Sequence, residues 1–458
     1  GSQHYMYPTL KARKLYFEGL LISLSSDNLN KKLGRQALAK LNAAIQIQPE
    51  MPQVYMTMSR VYADNMRQLD SAEHYAHKAA LFAPSWIYPL VHLGRHSSRN
   101  PKRDEETLSY LDQAYQIDSN SLFVLRSYGW FYEKNKRYEE AEKYLKLAIQ
   151  ADTTAVMGYN DLGVLYKEIR QFEAAEKYFK KAIQVGPSSP VSYYNLARVY
   201  QQTKRIEEAE KYFKLGIEVD STHIHSYSNL GGLYYNAKRF EEAIKYFKKV
   251  IQIDTAYIRP YNYLGIIYQD NRQFEEAEKY FKKTVQLDSS YWIGYANLGR
   301  VYKDMQQWES SILMTQKAID LRPKIGGLYV QLGSAYARLS GQEDEAEKNY
   351  LKAIQLDSTN AETYLQMGLL FIKKKNFNKG EQWLTKALDI DPEHAWAVYN
   401  MACLFSLQQK DKEALSWFEK ALKLGKIPFD QCKTDTDLDN IRHSEEFNSL
   451  LQKYFPEE

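Results

Sequence analysis

Four histidines in the N-terminal quarter of the chain come nearest to a metal site in type and spacing. His74 and His77 share one stretch, and His92 and His96 stand four residues apart in the next. Residues at i and i+4 share one face of a helix, and imidazoles are common Zn²⁺ ligands. No carboxylate or cysteine set completes a coordination sphere. We therefore interpret these histidines as polar residues of helices, and we predict no metal site and no cofactor.

The sequence has no pattern typical of an enzyme. It contains no glycine-rich phosphate loop, no nucleophile elbow and no zinc-protease signature. Its Asp and Glu residues follow the predicted helix starts, where they complement the helix dipole without any catalytic role. Only Cys403 and Cys432 occur, which excludes a disulfide framework and a multi-cysteine metal cluster. We therefore predict that the chain is not an enzyme.

Length and charge narrow the class of protein. A chain of 458 residues exceeds what one hydrophobic core usually supports, so it forms two or three globular domains or one extended repeat array. Its 61 basic and 57 acidic residues leave a net charge of +4, without the concentrated basic face typical of nucleic-acid binding. No apolar run reaches the roughly 18 residues of a membrane span. We predict no nucleic-acid partner and no membrane span; the oligomeric state stays open.

The two cysteines bear on the cellular compartment of the protein, and the first residues bear on whether the chain is part of a longer one. Free thiols fit a reducing compartment, so we predict a cytoplasmic protein, with the periplasm as the alternative. The start at Gly1–Ser2 resembles the scar of a cleaved tag, with a leader over residues 1–7. We expect the chain to be a segment excised from a longer protein.

A 34-residue period organises most of the chain. A Leu-Gly pair or a close variant recurs, with an aromatic residue three positions later, Tyr four positions earlier in most units, and Ala twelve positions later in several. The central position, spaced by 34 residues except for a last step of 35, is occupied by Gly129, Gly163, Ala197, Gly231, Gly265, Gly299, Gly333 and Gly368.

The spacing within one unit predicts two helices that cross closely. Tyr159, Gly163 and Tyr166 lie at i, i+4 and i+7, which places them on one stripe of a first helix. A second helix presents Ala175 and Phe179 on one face. Because Gly163 and Ala175 lack bulk, the two helices can approach each other. The prolines expected to end second helices are Pro49, Pro84, Pro187, Pro323 and Pro392. The pairs expected to cap the following helix are Asp254–Thr255, Asp288–Ser289 and Asp357–Ser358.

The period and its order of Tyr, Leu-Gly, Tyr, Ala, Phe, Ala and Pro resemble the tetratricopeptide repeat family. The resemblance implies an all-α, right-handed superhelical solenoid of about twelve helix-turn-helix repeats. We assign residues 8–121 to divergent N-terminal units and residues 122–428 to a regular array. The units span 8–50, 52–86, 87–121, 122–155, 156–189, 190–223, 224–257, 258–291, 292–325, 326–360, 361–394 and 395–428.

Residues 429–458 are predicted to form a C-terminal capping region, since a terminal repeat must cover its exposed face. The apolar face of this region is expected to comprise Leu438, Ile441, Phe447, Leu450 and Leu451. This closing segment resembles that of many bacterial members of the family, which favours a bacterial source. The first unit is similar to those of multidomain bacterial regulators.

The sequence departs from the family pattern in two ways. The units opening at Pro52, Ile87 and Gly326 each have one extra residue. The family often has Gly in the turn between helices, but here the turns contain Lys or Arg. A left-handed Lys or Arg costs about 1 kcal/mol relative to Gly. We therefore expect altered turns at Arg170, Lys204, Lys238 and Arg272.

In this family the first helices line the concave face, and the resemblance transfers groove positions to this chain. The sixth position of successive units contains Asp161, Asn195, Asn229, Tyr263, Asn297, Gln331, Gln366 and Asn400. A side-chain amide matches both groups of a peptide backbone, so a ladder of amides can hold an extended segment. The alternative is that Asn is simply the usual family residue there.

Other groove positions contain Arg and aromatic residues, the types enriched at binding hot spots. They are Trp130, Tyr194, Arg198, Tyr235, Arg259, Asp270, Arg300, Lys303, Asp304, Arg338, Lys373, Trp396 and Tyr399. Basic members outnumber acidic ones from Arg198 to Lys373, which favours an acidic or mixed peptide, although a solvated helix face explains them too. The predicted peptide-binding residues are Asn195, Arg198, Asn229, Tyr235, Arg259, Tyr263, Asn297, Arg300, Lys303, Gln331, Arg338, Gln366, Lys373, Trp396 and Asn400.

We therefore predict a protein-interaction scaffold that binds an extended peptide or a partner helix in the groove. The alternative is a sensory or regulatory region of a larger bacterial kinase, cyclase or transcription regulator. The two predictions share one architecture and differ in the domains that surround it.

Overall fold

The structure, a computed structural model, describes residues 10–24 and 31–456, and every regular element in these ranges is a helix. The prediction of an all-α fold of paired helices is confirmed. The tag scar and leader expected over residues 1–7 lie outside the described residues. None of the described helices combines the length and the apolar character needed to cross a membrane. The chain divides into two units, Gly1–Ser226 and Tyr227–Glu458.

The first unit contains six helix pairs, and the two helices of each pair pack against each other. The pairs are α1 (Leu10–Leu24) with α2 (Lys31–Ile47), α3 (Pro52–Val61) with α4 (Leu69–Phe82), α5 (Ile87–Ser97) with α6 (Asp104–Ile117), α7 (Leu122–Lys134) with α8 (Tyr138–Ala151), α9 (Val156–Glu168) with α10 (Phe172–Val185), and α11 (Pro190–Gln202) with α12 (Ile206–Val219).

The second unit begins within α13 and continues the same alternation of first and second helices. Its pairs are α13 (Ile224–Asn236) with α14 (Phe240–Ile253), α15 (Ile258–Asp270) with α16 (Phe274–Leu287), α17 (Trp292–Asp304) with α18 (Trp308–Leu321), α19 (Gly326–Tyr336) with α20 (Glu343–Leu356), α21 (Ala361–Lys373) with α22 (Phe377–Ile390), and α23 (Ala395–Leu407) with α24 (Asp411–Lys423). Three short helices close it: α25 (Phe429–Thr434), α26 (Asp439–Arg442) and α27 (Glu445–Tyr454).

Small residues set the distance between paired helices, as predicted. A Cβ atom added to Gly163 would lie 2.7 Å from Cε1 of Phe179, closer than real Cβ contacts allow. Phe179, Ala175 and Ala182 are fully buried at this crossing. The second helix therefore places its aromatic ring where the first helix has no side chain.

The turns between paired helices contradict the expectation that Lys and Arg would alter them. Arg170 has φ of 61°. The turn has the two hydrogen bonds of a Schellman motif: Arg170 N donates to Lys167 O at 3.1 Å, and Gln171 N donates to Tyr166 O at 2.8 Å. The expectation was wrong because packing of the helix pair outweighs a local cost of about 1 kcal/mol. Described non-glycine residues with this left-handed conformation, at φ of 56° to 61°, are Arg67, Lys136, Arg170, Lys204, Lys238, Arg272, Gln306, Lys375 and Gln409.

The units with one extra residue absorb it in three ways. After α3 the chain forms a π-helical turn over Tyr62–Met66, which holds one more residue per turn. A 3₁₀ turn over Pro101–Arg103 precedes α6. After α19 the turn passes through Gly341 at φ 77°, a conformation that glycine adopts without strain.

The Asp residues at unit ends do not cap the following helix, contrary to expectation. Asp288 follows α16, and its Oδ1 accepts hydrogen bonds from Ser290 N at 2.8 Å and Ser290 Oγ at 2.6 Å. The N-cap of α17 is Tyr291, without a side-chain cap. The short side chain reaches only the backbone two residues ahead, so it shapes the turn instead of the next helix.

Short helices after α24 pack against the last helix pair. Phe447 stacks on Phe418 at a centroid distance of 4.7 Å and an interplanar angle of 13°. Leu438 and Ile441 are buried with it. The hydroxyl of Tyr399 donates to Oδ2 of Asp435 at 2.9 Å, which attaches the cap to α23. The closing helices therefore cover the apolar side of the last helix pair, α23 and α24.

Candidate protein-interaction face

First helices of successive repeats lie side by side and form one surface in each unit. In the first unit α5, α7, α9 and α11 contact one another in order, and in the second unit α15, α17, α19, α21 and α23 do so. We call these the first-helix faces of the two units. Most of the predicted site residues lie on them or in the turns directly after these helices.

Part of the predicted amide ladder ties adjacent repeats together. Nδ2 of Asn297 donates to Oδ1 of Asn262 in the preceding repeat at 2.8 Å. Nε2 of Gln331 donates to the carbonyl of Ala296 at 2.9 Å and lies 3.0 Å from Oγ1 of Thr315. These amides use donors within the chain that a bound peptide would need.

Other ladder amides are satisfied within their own helix or remain available. Asn400 donates to the carbonyl of Trp396 at 2.7 Å, and Gln366 donates to Glu362 at 2.7 Å. Asn195 is half-buried and makes no side-chain hydrogen bond within residues 10–24 and 31–456. Asn229 is buried on α13. The ladder therefore offers separate amides instead of a continuous row.

Aromatic rings and a guanidinium group cluster on the first-helix side of α13 and α15. Tyr263 stacks on Phe247 at 4.9 Å, and the edge of Tyr235 meets Tyr263 at 5.4 Å. Arg259 lies over the Tyr263 ring at 5.6 Å. A Cβ atom added to Gly232 would have only Nη2 of Arg259 within reach, at 4.0 Å. Gly232 therefore leaves open space beside this cluster, which suits an incoming side chain.

A hydrogen-bond network orients the charged side chain of Arg300 on α17. Nε and Nη2 of Arg300 donate to Oε1 of Gln269 at 3.1 and 3.0 Å, and Nε2 of the same amide donates to Asp304 at 2.6 Å. Lys303 is half-buried, and Asp270 is exposed at the end of α15. The acceptor that orients Arg300 is a neutral amide oxygen, so the guanidinium keeps its charge.

Among the remaining predicted residues, Lys373 is bonded within the chain, whereas others are exposed. Lys373 donates to the carbonyl of Ala337 at 2.6 Å and pairs with Glu343 at 3.2 Å, which uses most of its charge locally. Arg198 lies over the ring of Tyr194 at 5.9 Å. Trp396 is 41% exposed. Arg338 is exposed just after α19.

Ion pairs are found on both kinds of helix, but several cations of the first helices have none. Second-helix lysines form ion pairs one turn apart, namely Lys146–Glu142, Lys180–Glu176, Lys214–Glu210, Lys282–Glu278 and Lys423–Glu419. Several first-helix cations have no carboxylate within 4.0 Å in the described part of the chain: Arg198, Arg259, Arg300, Lys303 and Arg338. The first-helix face of the second unit therefore carries uncompensated positive charge, against which only Asp270 and Asp304 stand among the predicted groove residues.

Two of the four histidines considered as ligands, His92 and His96, form a small hydrogen-bonded group with Ser59. Nε2 of His96 lies 3.4 Å from Nε2 of His92, whose Nδ1 lies 3.2 Å from Oγ of Ser59. Burial, then the nearby His96 and arginines, lower the pKa of His92 to about 3, so the ring is neutral. No cluster of three or more His, Cys, Asp or Glu side chains suited to a metal occurs in the ranges that the structure describes.

Sequence reasoning missed a cavity of about 400 Å³ among α5, α7 and α9. Of its lining, only Trp130 and Asp161 stood among the groove positions transferred from the family. His92 had been considered only as a metal ligand. The cavity combines residues of three successive repeats, and the first of them, residues 87–121, is one of the divergent N-terminal units, so no single repeat position marks it.

Sequence comparison identifies the repeat independently of the geometry. Models described as tetratricopeptide repeat match residues 127–154, 158–188, 188–256, 222–290, 327–360 and 361–394, together about half of the chain. The chain belongs to the tetratricopeptide repeat family. Tetratricopeptide repeat proteins generally act as non-enzymatic scaffolds for protein–protein interaction. A comparison with curated proteins found no match.

Solved structures of other tetratricopeptide repeat proteins are similar to parts of the chain. The crystal structure of YrrB, described as having an unusual peptide-binding site, shares 24% identity over 41% of this chain and 96% of YrrB, with a TM-score of 0.35. The C-terminal part of a tetratricopeptide repeat protein from Cytophaga hutchinsonii shares 20% identity over 53% of this chain and 99% of the matched chain, with a TM-score of 0.43. The Cut9–Hcn1 hetero-tetramer structure shares 13% identity over 84% of this chain and 94% of the matched chain, with a TM-score of 0.40.

Proposed function

We propose that the protein is a scaffold whose second unit holds an acidic segment of a partner protein against its first-helix face. The observation that carries this proposal is the pairing of charges. Some second-helix lysines pair with glutamates, such as Lys282 with Glu278, whereas four cations on one first-helix face, Arg259, Arg300, Lys303 and Arg338, have no carboxylate partner in the described residues. Complementary charge across an interface speeds association and selects the partner.

Aromatic groups next to these cations supply the contact surface. Tyr235 and Tyr263 are half-buried beside Arg259, and Gly232 leaves space next to them. Tyr and Arg are enriched at binding hot spots. An acidic segment with a few apolar side chains can place carboxylates on Arg259 and Arg300 and a side chain against Tyr235.

The occupied amides limit how the backbone of the partner is held. Asn297 and Gln331 already donate to the chain itself, so a bound backbone competes with contacts between repeats. The affinity should therefore depend more on charge and aromatic contact than on an amide ladder.

Charge reversal tests the proposal. The probe is a short peptide of alternating Glu and Ser, with its Lys and Ser counterpart for comparison, measured by titration calorimetry at low salt. The wild type should prefer the acidic peptide, and the double variant Arg259→Glu/Arg300→Glu should lower that affinity by about tenfold or more, or roughly 1.4 kcal/mol.

The matched control is Lys279→Glu/Lys283→Glu on α16, a second helix, where Lys279 is exposed and Lys283 is half-buried; it changes the net charge equally. The control should retain most of the affinity. Unchanged affinity in the arginine variant, or an equal loss in the control, would show that the first-helix face of the second unit is not the binding surface.

A further inference from the structure

The cavity among α5, α7 and α9 presents aromatic side chains to solvent. Tyr88, Phe123 and Trp130 line it and remain 43%, 39% and 39% exposed, respectively. The rings of Tyr88 and Phe123 lie 5.0 Å apart at 51°, and the fully buried Leu145 contributes to the lining. Large aromatic side chains on a concave surface bury area readily when another group enters.

Polar groups within the cavity leave little net charge there. Arg126 donates from Nε to Oδ2 of Asp161, and this ion pair neutralises both groups. Glu133 lines the same cavity, and its burial, together with the carboxylates of Glu168 and Asp161, raises its pKa to about 7. Near neutral pH a large fraction of this carboxyl group is therefore protonated and can donate a hydrogen bond to a carboxylate.

One arginine lines the cavity, and two others lie close enough to act on a lining residue. Arg95 lines it, and the charges of Arg95, Arg60 and Arg99 all act on His92, another lining residue. The three arginines are exposed and have no carboxylate within 4.0 Å among the described residues. His92 itself is neutral. Asp64 and Glu73 act on the neighbouring His96, and Glu73 is paired with Arg103. The three arginines therefore leave an excess of positive charge on this side of the cavity. We call Arg60, Arg95 and Arg99 the arginine rim.

We infer that the cavity and its arginine rim form a second interaction site, which takes an aromatic side chain of a partner segment flanked by carboxylates. The rings of Tyr88, Phe123 and Trp130 favour an aromatic guest, because offset and edge-to-face ring pairs add to the burial of apolar area. A cavity of about 400 Å³ accommodates a large side chain. The unpaired rim favours acidic flanks over neutral or basic ones.

This site is independent of the face proposed in the second unit. Its aromatic wall lies on α5 and α7, whereas Arg259 and Arg300 lie on α15 and α17. Substitutions at one site therefore leave the other intact, and each proposal can fail alone.

Three unlabelled peptides test the site by titration calorimetry on the whole chain. They are Asp-Glu-Phe-Asp-Glu, the same peptide with Ala in place of Phe, and Lys-Lys-Phe-Lys-Lys. The first should bind about tenfold more tightly than either of the others. Equal affinity of the Phe and Ala peptides would overturn the aromatic anchor, and equal affinity of the acidic and basic peptides would overturn the role of the rim.

Substitutions then locate the binding. Phe123→Ala/Trp130→Ala removes exposed rings, and Arg60→Glu/Arg95→Glu/Arg99→Glu reverses the rim; each should lower the affinity for the Phe peptide about tenfold. The charge-matched control reverses three exposed second-helix lysines: Lys143→Glu/Lys177→Glu/Lys211→Glu. Circular dichroism confirms that each variant folds, and where the triple arginine variant does not, Arg95→Glu alone replaces it.

The pattern of losses decides between the sites. Because the acidic Phe peptide also suits the face of the second unit, two binding events are expected in the wild type. Loss of one event in the ring and rim variants, with the same event retained in the lysine control and in Arg259→Glu/Arg300→Glu, supports the proposal. Retained affinity in the ring and rim variants, or a loss confined to Arg259→Glu/Arg300→Glu, overturns it.

Discussion

The guanidinium group of Arg300 is held by the side-chain amide of Gln269, with Oε1 accepting from Nε at 3.1 Å and from Nη2 at 3.0 Å. A carboxylate in place of this amide would hold the arginine as firmly and cancel its charge. The amide orients the cation without neutralising it, and Nε2 of Gln269 binds the nearest acid, Asp304, at 2.6 Å. The network therefore presents a fixed positive charge to solvent.

Replacing that amide with a carboxylate should weaken an acidic partner. In Gln269→Glu the new charge pairs with Arg300 and repels Asp304, so affinity for the acidic Glu/Ser peptide should fall by roughly 1 kcal/mol, about fivefold. Calorimetric titration measures the change. Gln316→Glu on α18 is the matched control, since Gln316 also donates to an aspartate, Asp320 at 3.0 Å. An equal fall in both variants would mean that only net charge matters.

Glu133 should make folding stability depend on pH. Its pKa is raised from an ordinary value near 4.5 to about 7, so the folded state holds a proton that the unfolded state has released between these values. Stability therefore decreases as pH rises from about 4.5 to 7. The groups around it are Asp161, Lys167 and Glu168 of α9, while α5 contributes Arg95 and the neutral His92 and α8 contributes only Leu145 to the cavity.

The variant Glu133→Gln lacks this loss. It should gain about 1–2 kcal/mol over the wild type on going from about pH 5 to about pH 8, a value reduced from the full shift because water reaches the cavity. Urea unfolding at the two pH values measures the gain. Glu139→Gln, an exposed substitution on α8, serves as the control. A pH-independent difference between Glu133→Gln and the wild type would contradict the prediction.

Two glycines of neighbouring first helices should respond oppositely to Ala. A Cβ atom at Gly265 would lie 2.5 Å from Cε1 of Phe281, which is fully buried, so Gly265→Ala should destabilise the fold by about 1–3 kcal/mol. Gly232 has open space, so Gly232→Ala should be neutral or stabilise by up to about 1 kcal/mol through helix propensity. Thermal unfolding compares the pair, and equal shifts would refute this account of the helix crossing.

The non-glycine residues in left-handed turns carry backbone strain that glycine would remove. Arg272 has φ of 59°, and glycine adopts that conformation without strain, so Arg272→Gly should raise the unfolding free energy by up to about 1 kcal/mol. Gly341 has φ of 77° and no atom near an added Cβ, so Gly341→Ala changes the backbone strain without a steric clash. This substitution should lower the free energy of unfolding by a similar amount. Chemical denaturation tests both, and a stabilised Gly341→Ala would show that backbone strain is not the cause.

The repeated parts of the structure were predictable because each repeat solves the same packing problem. Gly163 opposite Phe179 and Gly265 opposite Phe281 follow directly from a small residue at a fixed distance from an aromatic one. The buried cap residues Leu438, Ile441 and Phe447 follow from the need to cover a terminal repeat. In these cases a local pattern determines the contact.

The parts that differ between repeats were not predictable in this way. The left-handed turn at Arg170 persists because packing outweighs propensity, a comparison of two energies that spacing does not reveal. The pKa of Glu133 depends on Asp161 and Glu168, which belong to another repeat. Whether Arg259 has an ion-pair partner depends on side-chain conformations across helices, which no period encodes.

The amides that join adjacent repeats also have a mechanical consequence. Asn297 and Gln331 act as ties between first helices, and each tie resists an increase in the spacing of two repeats. A partner whose backbone captures these donors would release the ties, so occupancy of this face would soften the second unit locally while the second-helix side stays closed. Ligand binding and elastic stiffness would then be coupled through the same few amide groups.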